Sequence, residues 1–108
     1  NIQSIEIPES VTTIDQRAFS HCSDLHTIKL PTDNWSHLTM IGKFAFEWCT
    51  SLRSVHLPDT IKYIGEGAFD GCTSLKTVRL PVSITAIDDY TFEWCSNLDT
   101  IRIPYTVT

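Results

Sequence analysis

Four cysteines, four histidines and thirteen carboxylates are the groups through which this 108-residue chain could do chemistry. The cysteines stand at Cys22, Cys49, Cys72 and Cys95, at intervals of 27, 23 and 23 residues. Zinc sites draw on pairs two to four residues apart, and no two of these thiols come near that spacing. Cys22 and His26 are placed like half of a metal site, but neither His21, His37 nor His56 repeats that placement. No serine or cysteine has a base set beside it by the pattern, and no glycine-rich phosphate loop is present. The carboxylates are scattered over prospective turns. The sequence therefore gives no support to an enzyme, a bound metal or a cofactor. Two readings of the cysteines stay open: disulfides between stacked coils, whose Cα atoms would lie near enough, and a ladder of buried thiols acting as small hydrophobes. The second explains the spacing without any chemistry.

The same interval governs the prolines. Pro8, Pro31, Pro58, Pro81 and Pro104 are separated by 23, 27, 23 and 23 residues, and every proline and cysteine in the chain obeys this register. Aligned on them, each unit opens with an apolar triplet: Ile2/Ile5/Ile7, Leu25/Ile28/Leu30, Leu52/Val55/Leu57, Leu75/Val78/Leu80 and Leu98/Ile101/Ile103. Alternation at the last two positions has the period of a strand, and the proline ends it because it has no N–H for a ladder. A second apolar pair follows: Val11/Ile14, Leu38/Ile41, Ile61/Ile64 and Ile84/Ile87. Asp15, Gly42, Gly65 or Asp88 then suits the start of a short helical turn, which carries Phe19, Phe46, Phe69 or Phe92 three residues before the cysteine.

A unit this short cannot bury its apolar face alone, so successive units must stack. Stacking sets strand beside strand at about 4.8 Å and turns the repeat positions into ladders of aliphatic, phenylalanine and cysteine side chains. The expected fold is an α/β solenoid over residues 1–108, right-handed and of about four and a half units. A parallel sheet should line its concave face and short helical turns its convex face, because strands pack more closely sideways than helical turns do. One unit is enlarged by four residues in the segment Thr32-Asp33-Asn34-Trp35-Ser36-His37, and this insertion should bulge outward and leave the core intact.

The run Cys72-Thr73-Ser74-Leu75-Lys76-Thr77-Val78-Arg79-Leu80-Pro81 resembles the BspA-type leucine-rich repeat, as does Ile64-Gly65-Glu66-Gly67-Ala68-Phe69-Asp70-Gly71-Cys72. The resemblance covers the whole chain. It implies a leucine-rich-repeat fold and a non-enzymatic role at a cell surface or in secretion, since such repeats are best known from adhesins that contact host or matrix proteins.

Charge and hydropathy narrow the classes further. A net charge of −5 argues against nucleic-acid binding, which usually brings a basic excess. No apolar run approaches the roughly 20 residues of a membrane helix, and no charged-then-apolar leader opens the chain. Neither end shows the polar capping unit that a solenoid needs, so the chain is expected to belong to a longer one or to pair end to end.

The outward positions of the strands carry the one functional signal. They hold Lys29, Arg53, His56, Lys76, Arg79 and Arg102, together with a ladder of hydroxyls at Ser4, Thr27, Ser54, Thr77 and Thr100. Five of the eight Lys and Arg residues fall on this face, against only Glu6 and Asp99 of the 13 acids. A locally positive strip of this kind suits an acidic protein surface, a sulfated glycan or a phosphorylated segment, with arginine offering forked donors. The bland alternative is a merely solvated sheet face. On the other side Trp48 and Trp94 recur in the sequence Phe-Glu-Trp-Cys and flank Gly71; they would anchor a neighbouring chain or cover their own coils. Asn34-Trp35-Ser36 matches the N-glycosylation acceptor pattern. Two functions are therefore expected to compete: protein recognition or adhesion through the sheet face, and a structural subunit of a larger assembly.

Overall fold

The computed structural model describes residues 3–31, 36–82, 84, 86–88 and 90–102, the last three of these through their backbone alone. Ile2, Asn34, Trp35, Ile103 and Pro104 lie outside the described residues, and so does the side chain of Arg102.

The apolar triplets form the strands expected of them. These are β1 (Ser4–Glu6), β3 (Thr27–Lys29), β5 (Ser54–His56), β7 (Thr77–Arg79) and β8 (Thr100–Arg102). They make a five-stranded parallel sheet in the order β1-β3-β5-β7-β8. Equivalent residues pair across it: Ile5 with Ile28, Ser54 with Thr77 and Arg79 with Arg102. In β3, β5 and β7 only the middle residue is buried, as strand alternation requires.

A second parallel sheet was not foreseen. Its strands are β2 (Thr13–Ile14), β4 (Met40–Ile41) and β6 (Tyr63–Ile64), stacked so that Ile14, Ile41 and Ile64 align. They occupy the second apolar pair of the first three units, whose isoleucines Ile14, Ile41 and Ile64 are buried in the core.

The expected helical turns are absent: among the described residues no helix is present. From Asp15 to Cys22 the chain makes a run of β-turns, with Ala18 N–H donating to Asp15 O (3.1 Å), Ser20 to Arg17 (3.2 Å) and Cys22 to Phe19 (3.2 Å). The intervening amides point along the solenoid: Arg17 N–H donates to Lys43 O, Phe19 to Ala45 and His21 to Glu47, at 3.0, 2.8 and 2.7 Å. The next coil repeats this through Phe44, Phe46 and Trp48. What prevents helix formation is a left-handed residue at every fourth position: Arg17 and His21, Phe44 and Trp48, Gly67 and Gly71, Tyr90 and Trp94, with φ between 57° and 79°. Each reversal turns an amide away from the coil's own carbonyls and toward the next coil. Left-handed backbone costs an L-residue roughly 1–2 kcal/mol, which the inter-coil hydrogen bonds and the packing beneath them offset. Both faces are thus hydrogen-bonded from coil to coil.

The core lies between the two sheets and the turn ladder. Phe19, Phe46, Phe69 and Phe92 stack with centroids 5.3, 5.2 and 5.8 Å apart and planes within 12°, and Phe46 and Phe69 are fully buried. The outward bulge expected of the enlarged segment falls on residues 32–35, which lie outside the described residues; the chain that follows it packs into the core. Leu38 directly after it is fully buried, and Ser36 Oγ lies 3.2 Å from Thr60 Oγ1, whose hydroxyl donates to Leu38 O at 2.6 Å.

Candidate binding surface

The cysteines belong to the core. All four are free thiols. Cys49 Sγ–H donates to Phe19 O, Cys72 to Phe46 O and Cys95 to Phe69 O, at 3.1, 3.1 and 3.2 Å. Each thiol thus reaches back one coil to a carbonyl that already accepts the amide of its own coil's cysteine, using the second lone pair. Burial, with a smaller contribution from Cys22, pushes the Cys49 thiol up to about 12. Burial likewise raises Cys95, to about 11, and Cys72 further still. Burial thus favours the protonated thiol, the poorly nucleophilic form. Among the described residues no three His, Cys, Asp or Glu side chains gather where they could hold a metal.

The strand face gathers most of the predicted cations. Lys29, Arg53, His56, Lys76 and Arg79 are all exposed on one side of the five-stranded sheet or at its leading edge. Their surroundings differ. Lys29 Nζ lies 4.0 Å from Glu6 Oε2 on the neighbouring strand. Arg79 is engaged in the forked manner, its Nη1 and Nη2 donating to the two Asp59 oxygens at 3.2 and 3.4 Å. That guanidinium, and then the Val82 N–H, hold the Asp59 carboxyl below its usual range. Asp59 sits just past Pro58, and the repeat pattern gave no sign of it as a partner. Arg53 and Lys76 form no ion pair among the described residues. They are adjacent, since Lys76 N–H donates to Arg53 O at 2.9 Å. The hydroxyl ladder pairs in register from Ser4 through Thr27, Ser54 and Thr77 to Thr100.

The tryptophans occupy the second left-handed corner of their coils, where a side chain leans onto the next coil. A Cβ placed on Gly71 would stand 2.4 Å from Trp48 Cδ2, and one on Gly67 would stand 2.3 Å from Phe44 Cε1. Trp48 therefore covers Gly71 rather than its own coil. Arg17 does the same to the coil after it, its guanidinium 4.7 Å from the Phe44 ring centre. Tyr90 and Trp94 hold the equivalent corners of the fourth coil and are 55% and 65% exposed. The pairing of Phe44 with Gly67 and Trp48 with Gly71 is legible only once the coils are superimposed. Asn34 lies outside the described residues.

Beside these corners Glu47, Asp70 and Glu93 share one repeat position. Glu47 has partners in the first coil: Arg17 Nη1 at 3.0 Å and Ser20 Oγ at 3.2 Å. Asp70 Oδ1 is buried without one among the described residues. Burial, then the Glu93 and Glu47 carboxylates, raise the Asp70 pKa.

The family model for the BspA type leucine-rich repeat region matches residues 33–108. The chain belongs to that family. Three solved structures share the BspA-type chain's fold. A leucine-rich repeat protein of T. pallidum is 24% identical with a TM-score of 0.65, over 95% of this chain and 71% of its own. A leucine-rich cell surface protein of Faecalibacterium prausnitzii A2-165 is 27% identical with a TM-score of 0.64, over 94% of this chain and 32% of its own. A leucine-rich repeat protein of Bacteroides ovatus is 24% identical with a TM-score of 0.51, over 98% and 38%. The BspA-type chain thus spans about a third of the length of two of them. No curated protein matches it.

Proposed function

We propose that this BspA-type segment is a non-enzymatic protein-recognition module that takes an acidic partner surface on its five-stranded face, in a cell-surface or secreted protein. The observation that carries the reading is the segregation of charge. Lys29, Arg53, Lys76 and Arg79 project from one face of a chain whose net charge is −5. Glu6 and Asp59 engage Lys29 and Arg79 there, while Arg53 and Lys76 have no ion pair among the described residues. The hydroxyl ladder between them adds donors and acceptors at regular spacing, suited to side chains and backbone of a partner. The cell-surface relative from Faecalibacterium supports the location. The reading also takes the segment as a stretch of a longer solenoid, in which further coils extend the same face.

The test compares charge reversal on two faces. Lys29→Glu with Lys76→Glu should abolish salt-sensitive binding to a panel of acidic extracellular proteins in biolayer interferometry. Lys43→Glu with Lys62→Glu, on the other faces, should leave it intact. Equal loss from both pairs, or binding that ignores salt, refutes the reading.

One observation favours a second, structural role: the exposed Tyr90 and Trp94 repeat the arrangement by which Phe44 and Trp48 hold the coil after them. In that role the pair seats a further coil of the assembly. Tyr90→Ser with Trp94→Ser would then abolish self-association measured by sedimentation, while the charge reversals above would leave it unchanged.

A further inference from the structure

Arg53 and Lys76 differ from the other described cations of the strand face. Lys29 stands beside Glu6, and Arg79 is clamped by Asp59. Arg53 and Lys76 occupy the same position of neighbouring coils, a strand spacing of about 4.8 Å apart along their backbones, with no acid in ion-pair range among the described residues. Like charges so placed repel. They border a depression of about 290 Å³ whose other lining residues are Ser74 and Asn97. The Asn97 carboxamide is fixed, because its Nδ2 donates to Thr73 O at 2.7 Å and its second N–H is left for another acceptor. The Ser74 hydroxyl makes no hydrogen bond among the described residues. Two cations and two neutral donors therefore line one recess, with no carboxylate among its described lining residues.

We propose that Arg53, Lys76, Ser74 and Asn97 form a subsite for a phosphate monoester group carried by the partner of the strand face. The inference rests on the recognition reading and names the group recognised. Charge favours phosphate over its rivals. A phosphate monoester carries −1.5 to −2 at neutral pH and three acceptor oxygens, which match two adjacent cations and two neutral donors. A carboxylate or a sulfate ester brings a single negative charge and leaves the repulsion between the cations half compensated. Arginine supplies the fork for two of the oxygens, and lysine a point charge for the third. Asp99, the next residue in the Arg53–Lys76 column, is exposed and lies outside the recess lining. Its charge opposes the ligand from the side.

The experiment is an NMR titration of the whole chain at pH 7.5 and constant ionic strength with methyl phosphate, methyl sulfate and sodium chloride. Methyl phosphate should give saturable shifts at the Arg53 Nε–H and the Asn97 carboxamide, while Lys29 and Lys43 stay unmoved. Methyl sulfate should bind at least several-fold more weakly, and chloride should not saturate. Arg53→Gln or Lys76→Gln should each weaken methyl phosphate about tenfold, the size of one lost bond to a charged group. Asp99→Asn should tighten it. Equal shifts with methyl sulfate, shifts spread over every cation, or indifference to these substitutions overturns the subsite. The two readings fail separately. Phosphate binding at these residues without any acidic protein partner leaves the subsite and sinks recognition. Partner binding that methyl phosphate cannot compete, and that Lys76→Gln leaves unchanged, does the reverse.

Discussion

Replacing Gly71 by alanine isolates the contact on which coil-to-coil packing of the turn face depends. Gly71 has φ of 79° and lies under the indole of Trp48. Two costs arise. The backbone cost of an L-residue in this region is roughly 1–2 kcal/mol, and the chain tolerates it at six non-glycine positions, Trp48 and Trp94 among them. The steric cost is larger in kind. The new Cβ would lie 2.4 Å from Trp48 Cδ2 and 2.5 Å from Cε3, more than 1 Å inside the ordinary contact of about 3.5–4.0 Å. Moving or distorting the indole should add about 1–3 kcal/mol. The sum, about 2–5 kcal/mol, is a large part of the stability of a chain this size and lowers the melting temperature by roughly 4–8 °C per kcal/mol. In a Trp48→Ala background only the backbone cost remains. The double-mutant cycle, read by urea unfolding with far-ultraviolet circular dichroism, should therefore show a coupling of about 1–3 kcal/mol. If Gly71→Ala destabilises both backgrounds equally, to within about 0.5 kcal/mol, the indole does not cover the glycine and the argument fails.

Three further outcomes are expected. Phe46→Ala removes a fully buried ring stacked on both sides and should cost about 3–5 kcal/mol in chemical denaturation; Phe92→Ala, half-buried with one stacking partner, should cost clearly less, and equal losses would contradict the ladder. Asp70 has a folded pKa above its ordinary 3.8, so the stability linked to its protonated form is complete below 3.8 and lost as pH rises through the raised value. Asp70→Asn should therefore raise the melting temperature at pH 7 and leave it nearly unchanged at pH 3, whereas a loss at pH 7 would show that the carboxylate has a partner. Cys49 and Cys72, their thiols pushed far above neutral pH by burial, should resist iodoacetamide at pH 8 in the folded protein and react at once in urea, as followed by mass spectrometry; rapid labelling of either in the native state would mean that they are not buried.

Much of this arrangement was legible before any coordinates. The 23-residue recurrence of Pro, Cys and Phe fixed which residues stack, because a short unit has no other way to bury its apolar positions. The five strands, the phenylalanine ladder and the outward cations follow from that recurrence and from strand alternation. The cysteine spacing likewise pointed to a ladder of packed thiols.

What the recurrence could not reveal is backbone conformation and which neighbour a side chain chooses. Asp15, Gly42, Gly65 and Asp88 suit the start of a helix as well as of a β-turn run, and only the amide directions distinguish them. Six of the eight left-handed corners are occupied by Arg, His, Phe, Trp or Tyr, of which only His has a local preference for that region. Tertiary hydrogen bonds between coils hold them there. The same folding decides the charges. Arg79 is clamped by Asp59 from 20 residues earlier, while Arg53 and Lys76 on the same face have no ion pair among the described residues. The order of residues thus determines which positions share a ladder, since that depends only on the repeat length. Which of those side chains remain available to a partner depends on contacts between coils, and these exist only once the chain is wound.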